Sequence, residues 1–411
     1  MAALGDKAGR GRAGSAWAPL KHPTFRTIWA AQFAANLGLW VQSVGAAWLM
    51  TNLAQSANLV AMVWSASTLP ILFFSMLGGA LADAMDRRTV IIVAQAIMMV
   101  AALLLALLQE FALITPYSLL ALTFLLDSGG ALRQPAYSAA IGDMVPRAEI
   151  PAAVALGSMN FNLARSIGPG VGGLIVAAWG SHAAFLVNAL CVLTAMLAMI
   201  AWRRMPIERD YNRQNLGRAM IDGVRYSLGD RVIRSVLIRC GAFSSCATAG
   251  WALMPLIAKY ELGGDSFTYG LMLGALGLGA VASGGFIAPM RHRFGMEPLL
   301  AVATIAFAVA LLALALVRSE ILLLLLLLLA GGAWLAVNAS FNTIVQLHAP
   351  GPIKARALSC YFMAIYGLMS FGAWFWGKLA DAIGLQPTLL VAAGALFATL
   401  LLSLGAPSEE I

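Results

Sequence analysis

Charged residues are scarce in this 411-residue sequence, since Asp, Glu, Lys and Arg together make up only 11% of it. Soluble domains usually contain about 25% charged residues. Hydrophobic residues make up 61%, and the mean hydropathy is +0.84. This composition excludes an ordinary soluble domain and indicates an integral membrane protein.

Cysteine and histidine are also rare, with four of each. The cysteines lie in apolar runs without metal-ligand or disulfide spacing, and the histidines stand singly near the ends of such runs. No serine or cysteine has the surroundings of a nucleophile, and the G-x-x-x-x-G-K-[ST] phosphate loop is missing. We therefore expect no catalytic residue, no metal, no cofactor and no direct use of ATP.

Apolar runs long enough to cross a bilayer, which takes about 20 residues, occur along the whole sequence. They predict an all-α membrane protein with about twelve transmembrane helices in two six-helix bundles. The predicted spans are 26–50, 57–82, 88–109, 116–141, 151–178, 182–202, 235–259, 267–289, 297–317, 320–346, 356–378 and 385–405. The predicted units are a basic tail (1–25), a first bundle (26–202), a linker (203–234), a second bundle (235–405) and a short tail (406–411).

Basic residues are concentrated in the N-terminal tail, the linker and the loops of the same side. The other side has only Lys259, Arg318 and Lys378. Because Lys and Arg are retained on the cytoplasmic side of a membrane, both termini and the linker are predicted to be cytoplasmic. The same rule explains the net charge of +8 without a nucleic-acid partner. Within the linker, GRAMIDGVRYSL predicts an amphipathic helix at the membrane interface.

The loop after the second span reads G-x-x-x-D-x-x-D-R-R, formed by Gly79, Asp83, Asp86, Arg87 and Arg88. A glycine allows close helix approach, and an aspartate can face the positive end of a helix. This spacing resembles the signature loop of the major facilitator superfamily. In that family the loop latches the cytoplasmic side in the outward-open state, so the resemblance implies a cytoplasmic gate. The alternative is a basic turn with ordinary charges.

Two weaker traces of this loop occur in the second half of the sequence. GGFIAPMRHRFG follows the eighth span without the acidic residues, and Gly377-x-x-x-Asp381-x-x-Gly384 joins the last two spans. Paired halves are the architecture of many secondary transporters, which rock around a site near the midplane. The superfamily resemblance implies this major facilitator fold here.

The fifth span contains a second signature, NFNLARSIGPGVGG, with Gly168, Pro169, Gly170, Gly172 and Gly173. Glycine and proline are tolerated in membrane helices where a neighbour packs closely or satisfies the freed backbone groups. The cluster resembles the fifth-helix motif of drug/proton antiporters in the superfamily. A kink that serves packing alone is the alternative.

The stretch from Arg133 to Arg204 resembles the exporter branch that includes siderophore exporters such as the enterobactin exporter. The resemblance implies a monomeric exporter in the cytoplasmic membrane, in contact with lipid, with protons as the coupling ion. Its substrate would be a small, partly apolar siderophore, drug or metabolite. An importer or uniporter is the main alternative, and a membrane scaffold, sensor or enzyme fits less well.

Polar side chains recur at helical spacing on the first, fourth, fifth and tenth predicted spans, so each set shares one helix face, and the seventh span has a looser set. The superfamily resemblance implies that the first, fourth, seventh and tenth helices line a central cavity, with the fifth close by. The cavity candidates are Asn36, Gln42, Thr123, Gln134, Ser158, Asn162, Trp251, Trp334, Asn338, Asn342 and Gln346.

Asp127 stands within an apolar run, where a full charge costs about 3 kcal/mol on insertion scales. One explanation is a protonatable carboxylate that couples proton entry to substrate exit, with Arg165 as its partner. The alternatives are a structural ion pair between the fourth and fifth helices, and substrate recognition. On the tenth span, Trp334 is expected to face a partly apolar substrate.

Overall fold

The structure, a computed structural model, describes residues 15–202, 216–350 and 353–403, and it is helical almost throughout. These ranges contain thirteen α-helices. They are α1 (Pro23–Leu53), α2 (Ala57–Ala84), α3 (Arg87–Glu110), α4 (Pro116–Ala140), α5 (Ile150–Trp179), α6 (Ser181–Ala201), α7 (Leu216–Gly229), α8 (Arg231–Leu256), α9 (Ser266–Phe294), α10 (Met296–Leu316), α11 (Glu320–His348), α12 (Lys354–Ile383) and α13 (Leu385–Ala398). The π-helical turn Ile257–Glu261 extends α8, and the 3-10 turn Thr399–Ser403 extends α13.

Twelve of these helices match the twelve predicted spans, and α7 matches the predicted linker helix. The tails 1–14 and 404–411 and the first part of the linker, 203–215, lie outside the described residues. Nine of the described helices are long and apolar enough to cross a membrane. The other three of that length, α1, α4 and α5, are more polar, and they are helices on which the cavity stripes were predicted.

The helices form two halves, α1–α6 and α8–α13. In the first half α1 packs on α5 and α6, and α4 packs on α2 and α3. In the second half α11 packs on α9 and α10, and α8 packs on α12. The halves meet mainly through two helix pairs, α2 with α12 and α5 with α9. Any rocking motion between the halves must therefore occur at these two contacts.

A chain of buried polar side chains holds α1, α4 and α5 together inside the first half. Arg133 of α4 donates to Gln32 at 2.6 Å, and Gln32 donates to Asn36 at 2.9 Å. Asn36 donates to Asn160 at 3.0 Å, and Asn160 donates to the Trp29 carbonyl at 2.8 Å. Asn36, predicted to line the cavity, is only 7% exposed because this chain encloses it.

We expect Asn160→Ala to lower the free energy of unfolding by about 1–3 kcal/mol, the cost of unsatisfied buried polar groups. The substitution leaves the buried Asn36 amide without its acceptor and removes the bond to the Trp29 carbonyl. Thermal unfolding in detergent measures the change. Thr194→Ala is the matched control, because that exposed hydroxyl donates only to the Leu190 carbonyl of its own helix. Equal loss of stability in the two variants would contradict a structural role for the chain of hydrogen bonds.

Candidate functional site

Asp127 lies at a cavity of about 120 Å³ between α1, α2 and α4. Ser67 of α2 lies next to Asp127 in the lining of this cavity. The cavity brings together three residues predicted to be functional: Asp127, Thr123 and Gln42. Its other polar lining residues are Ser43, Ser67 and Thr68, and its aromatic ones are Trp40 and Trp64. A half-buried carboxylate thus faces a space with a polar and an aromatic wall.

This cavity is small for a complete substrate, since ligand pockets usually measure about 300–1,000 Å³. It adjoins a narrower gap at the boundary of the two halves, because Ser43, Trp64 and Ser67 line both spaces. The gap is closed from the second half by Trp251, whose ring stacks on that of Trp64 with centroids 5.2 Å apart. The Asp127 cavity therefore lies directly behind the contact between the halves.

Arg165 of α5 lies at the same contact. Its guanidinium carbon is 5.9 Å from the Trp40 ring centroid and 5.5 Å from that of Trp251 in α8. The expected ion pair with Asp127 is not formed among the described residues. The physical reason is that Trp40 contacts the guanidinium and also lines the Asp127 cavity. Arg165 is instead held by aromatic rings from both halves.

The residues predicted to share one face of α11 lie in different surroundings. Trp334 is only 8% exposed and packs on Phe243, Phe307 and Trp251, with ring centroids 5.8–6.1 Å apart. The expectation that Trp334 faces substrate is therefore not met in this conformation, because the aromatic cluster fills the space around its ring. Further along α11, Asn338 donates to the Trp334 carbonyl and Gln346 donates to Asn342.

A second cavity, of about 240 Å³, separates the halves between α5, α9 and α11. Asn162 lines it, together with Met159, Leu163 and residues of α9 and α11. Ser158, one turn before Asn162, is exposed, as is Gln134 on α4. By the orientation predicted from the basic residues, this cavity opens on the cytoplasmic side.

Toward the opposite end, α5 and α9 are in direct contact through small residues. A Cβ atom at Gly173 would lie 2.6 Å from the Ser266 carbonyl oxygen, and one at Gly270 would lie 2.4 Å from the Pro169 carbonyl oxygen. The Ser266 hydroxyl also donates to the Gly173 carbonyl at 3.1 Å. The glycine cluster of the fifth span therefore forms part of the contact between the halves, besides packing on α1 through Gly168 and Gly172.

We expect Gly173→Ala to destabilise this closed contact by about 1–3 kcal/mol, the usual cost of overpacking. Gly170→Ala is the matched control in the same motif, because a Cβ there meets no described atom within 4 Å. Transport rate and thermal stability should fall in the first variant and stay near wild type in the second. Equal behaviour of the two would show that the cluster does not act through the α5–α9 contact.

Asp381 of α12 binds the first turn of α2 across the boundary between the halves. Its carboxylate accepts from the Ser56 hydroxyl at 2.7 Å, from the Ala57 backbone N–H at 2.6 Å and from the Asn58 backbone N–H at 3.3 Å. The first N–H groups of a helix have no partner within it and carry partial positive charge. An acidic side chain of one half thus caps a helix of the other.

Lys259 provides a complementary contact at the same end. Its ammonium donates to the Thr51 carbonyl at 2.7 Å and to the Asn52 side-chain oxygen at 2.6 Å, in the last turn of α1. The last carbonyls of a helix carry partial negative charge, which a cation stabilises. We call Asp381 and Lys259 with these helix ends the terminal latch. Sequence reasoning missed it, although the Gly377–Gly384 echo contained Asp381.

The signature loop between α2 and α3 makes contacts inside the first half. Asp86 caps α3 by accepting from the Thr89 N–H at 3.2 Å, Arg87 donates to the Ala139 carbonyl at 2.7 Å, and Arg88 donates to the Met199 carbonyl at 3.0 Å. Gly79 has no described atom within 4 Å of an added Cβ. Asp83 lies on α2, but its side chain is outside the described part of the structure. A gating role for this loop stays a prediction.

Two helical halves around a cavity, joined by α2–α12 and α5–α9, define the major facilitator fold of membrane transporters. The chain belongs to the transmembrane secretion effector family of this superfamily, whose family model matches residues 14–410. It is a multi-pass protein of the bacterial cytoplasmic membrane and a secondary transporter. No group of three or more potential metal ligands occurs in the described ranges.

Individual relatives are distant. The chain is 25% identical to the staphyloferrin A transporter of Staphylococcus aureus over 290 residues, which covers 69% of this chain and 72% of that protein. It is 26% identical to the multidrug efflux pump Tap of Mycolicibacterium fortuitum, with 88% and 90% covered. The crystal structure of the nucleoside transporter NupG superposes with a TM-score of 0.75 at 14% identity, covering 92% of this chain and 99% of that one. The last similarity concerns the fold alone.

Proposed function

We propose that this protein exports a small, partly apolar molecule, such as a siderophore, drug or metabolite, in exchange for protons. The observation that carries the proposal is the half-buried Asp127 carboxylate in a cavity behind the boundary of the two halves. Removing a carboxylate from water favours its neutral form, which allows it to take up and release a proton. The name of the Tap efflux pump supports export, and that of the staphyloferrin A transporter supports transport of a small molecule.

The arrangement of contacts supports alternating access. The terminal latch and the α5–α9 glycine contact close one end, whereas a cavity separates the halves at the other. In this conformation substrate enters from the cytoplasm. Opening of the latch would expose the site to the outside, where substrate leaves and Asp127 takes up a proton.

Everted membrane vesicles containing the protein test this function. Staphyloferrin A and tetracycline serve as the siderophore and drug probes. An interior-acid gradient should drive accumulation of at least one probe, and accumulation should release protons from the vesicle. Uptake of neither probe, or uptake that does not depend on the gradient, would contradict proton-coupled export. Movement of probe in the opposite direction would favour import.

A further inference from the structure

We infer that Arg165 is a receptor for the carboxylate of an organic anion, so that the transported substrate carries an acidic group next to an apolar part. This inference rests on the proposed export function and names the chemical class of the substrate. The Arg165 guanidinium lies at the boundary of the two halves. That group is held by Trp40 from the first half and Trp251 from the second.

The guanidinium has no acceptor of its own in the described part of the chain. Arg165 makes no salt bridge there, and its Nε atom is buried without a hydrogen-bond partner. A guanidinium carries five N–H donors in a fixed fork that matches a carboxylate. Leaving such a half-buried cation without an anion is costly, and cation–π contacts offset only part of that cost.

Arg133, the buried arginine of α4, has different surroundings. Its Nε atom also lacks a partner, but its guanidinium donates to Gln32 and so belongs to the chain of hydrogen bonds that ends at Trp29. Its role is explained by packing within one half. Arg165 has no such chain, and the rings that flank it belong to α1 of the first half and α8 of the second. Groups of both halves therefore surround the guanidinium, as expected for a substrate site.

The aromatic walls indicate what accompanies the carboxylate. Trp40 and Trp64 line the Asp127 cavity, and Trp251 stacks on Trp64. A substrate at this boundary can pack an apolar or aromatic group on the Trp40 and Trp251 rings beside Arg165 and pair its carboxylate with the guanidinium. Phosphates usually require several donors, and Arg165 is the only cation placed against these rings in the described structure. A carboxylate therefore fits better than a phosphate.

The test measures binding of a charge series to the purified full-length protein in lipid nanodiscs by calorimetry. The probes are 1-naphthoate, the neutral isostere 1-naphthamide and 1-naphthyl phosphate. We expect naphthoate to bind about tenfold tighter than the amide, since hydrogen bonds to charged groups contribute on that scale. Equal affinity for naphthoate and amide in the wild-type protein would overturn the inference. So would a preference for the phosphate over naphthoate of about tenfold or more.

Variants of Arg165 and Arg133 show which residue causes the preference for naphthoate over naphthamide. Arg165→Gln should abolish the preference, so that naphthoate and naphthamide bind about equally, whereas Arg133→Gln, the matched control, should keep it. Arg165→Lys should retain part of it, because the charge stays but the fork is lost, and this variant serves if Arg165→Gln does not fold. A full preference in either Arg165 variant would overturn the inference. Proton-driven export of tetracycline without any anion preference would refute only this inference, whereas anion preference without proton-driven transport would refute only the proposed function.

Discussion

Asp127→Asn should abolish proton-driven accumulation while leaving exchange of substrate for substrate intact. In the wild-type protein, a gradient of one pH unit is worth about 1.4 kcal/mol per proton, or about tenfold accumulation. The amide cannot take up the proton, so the variant should only equilibrate its substrate across the membrane. Uptake into proteoliposomes, with and without the gradient, measures both processes.

Ser67→Ala is the control for this prediction. It removes the hydroxyl next to Asp127 and keeps the carboxylate in the same cavity. Coupling should survive in this variant, although the pH dependence of its rate should change. A folded Asp127→Asn protein that still accumulates substrate tenfold would assign the carboxylate to structure or substrate recognition instead of proton transfer.

Removing the terminal latch should shift the protein toward the outward-open state. Asp381→Ala and Lys259→Met together eliminate the charged groups at the ends of α2 and α1. Interactions between charged groups and helix ends contribute about 0.3–1 kcal/mol each and up to about 2 kcal/mol when partly buried. Since 1.4 kcal/mol is a factor of ten in an equilibrium constant, we expect about a tenfold increase in the outward-open population.

The rate at which a cysteine reacts with a reagent outside the membrane measures the outward-open population. Thr68 lines the Asp127 cavity and is only 6% exposed. A cysteine placed at Thr68, with the four native cysteines replaced, should react about tenfold faster with an impermeant maleimide when the latch is absent.

Arg318→Ala is the control for the labelling experiment. Arg318 forms an ion pair with Glu261 at 2.5 Å near the same end, and both residues belong to the second half. Its loss should leave the labelling rate unchanged. The same acceleration in this control and in the latch variant would mean that general destabilisation, and not the latch, controls access.

The helices could be predicted from the sequence because each depends on a local property. Apolar runs set the twelve spans, and helical spacing placed Thr123 and Asp127 on one face, where both line the cavity. The glycines of the fifth span indicated close packing, which the structure shows against α1 and α9. These inferences needed no knowledge of which helices are neighbours.

Contacts between distant segments could not be predicted in the same way. The pairing of Arg133 with Gln32 depends on the relative rotation of α1 and α4. The burial of Trp334 depends on Phe243 and Phe307 from two other helices. The contact of Asp381 with Ser56 joins residues 325 positions apart, and a single sequence contains no signal for such a pair.

Two distances measured by pulsed electron paramagnetic resonance test the central claim, that the halves open alternately around the Asp127 cavity. Spin labels at Tyr117 and Glu320 report the latch end, and labels at Ala148 and Arg293 report the cytoplasmic end; all four positions are exposed. On addition of substrate, the first distance should lengthen as the second shortens, and a shift to lower pH, which protonates Asp127, should reverse the change. Two distances that stay constant, or that lengthen together, would contradict alternating access.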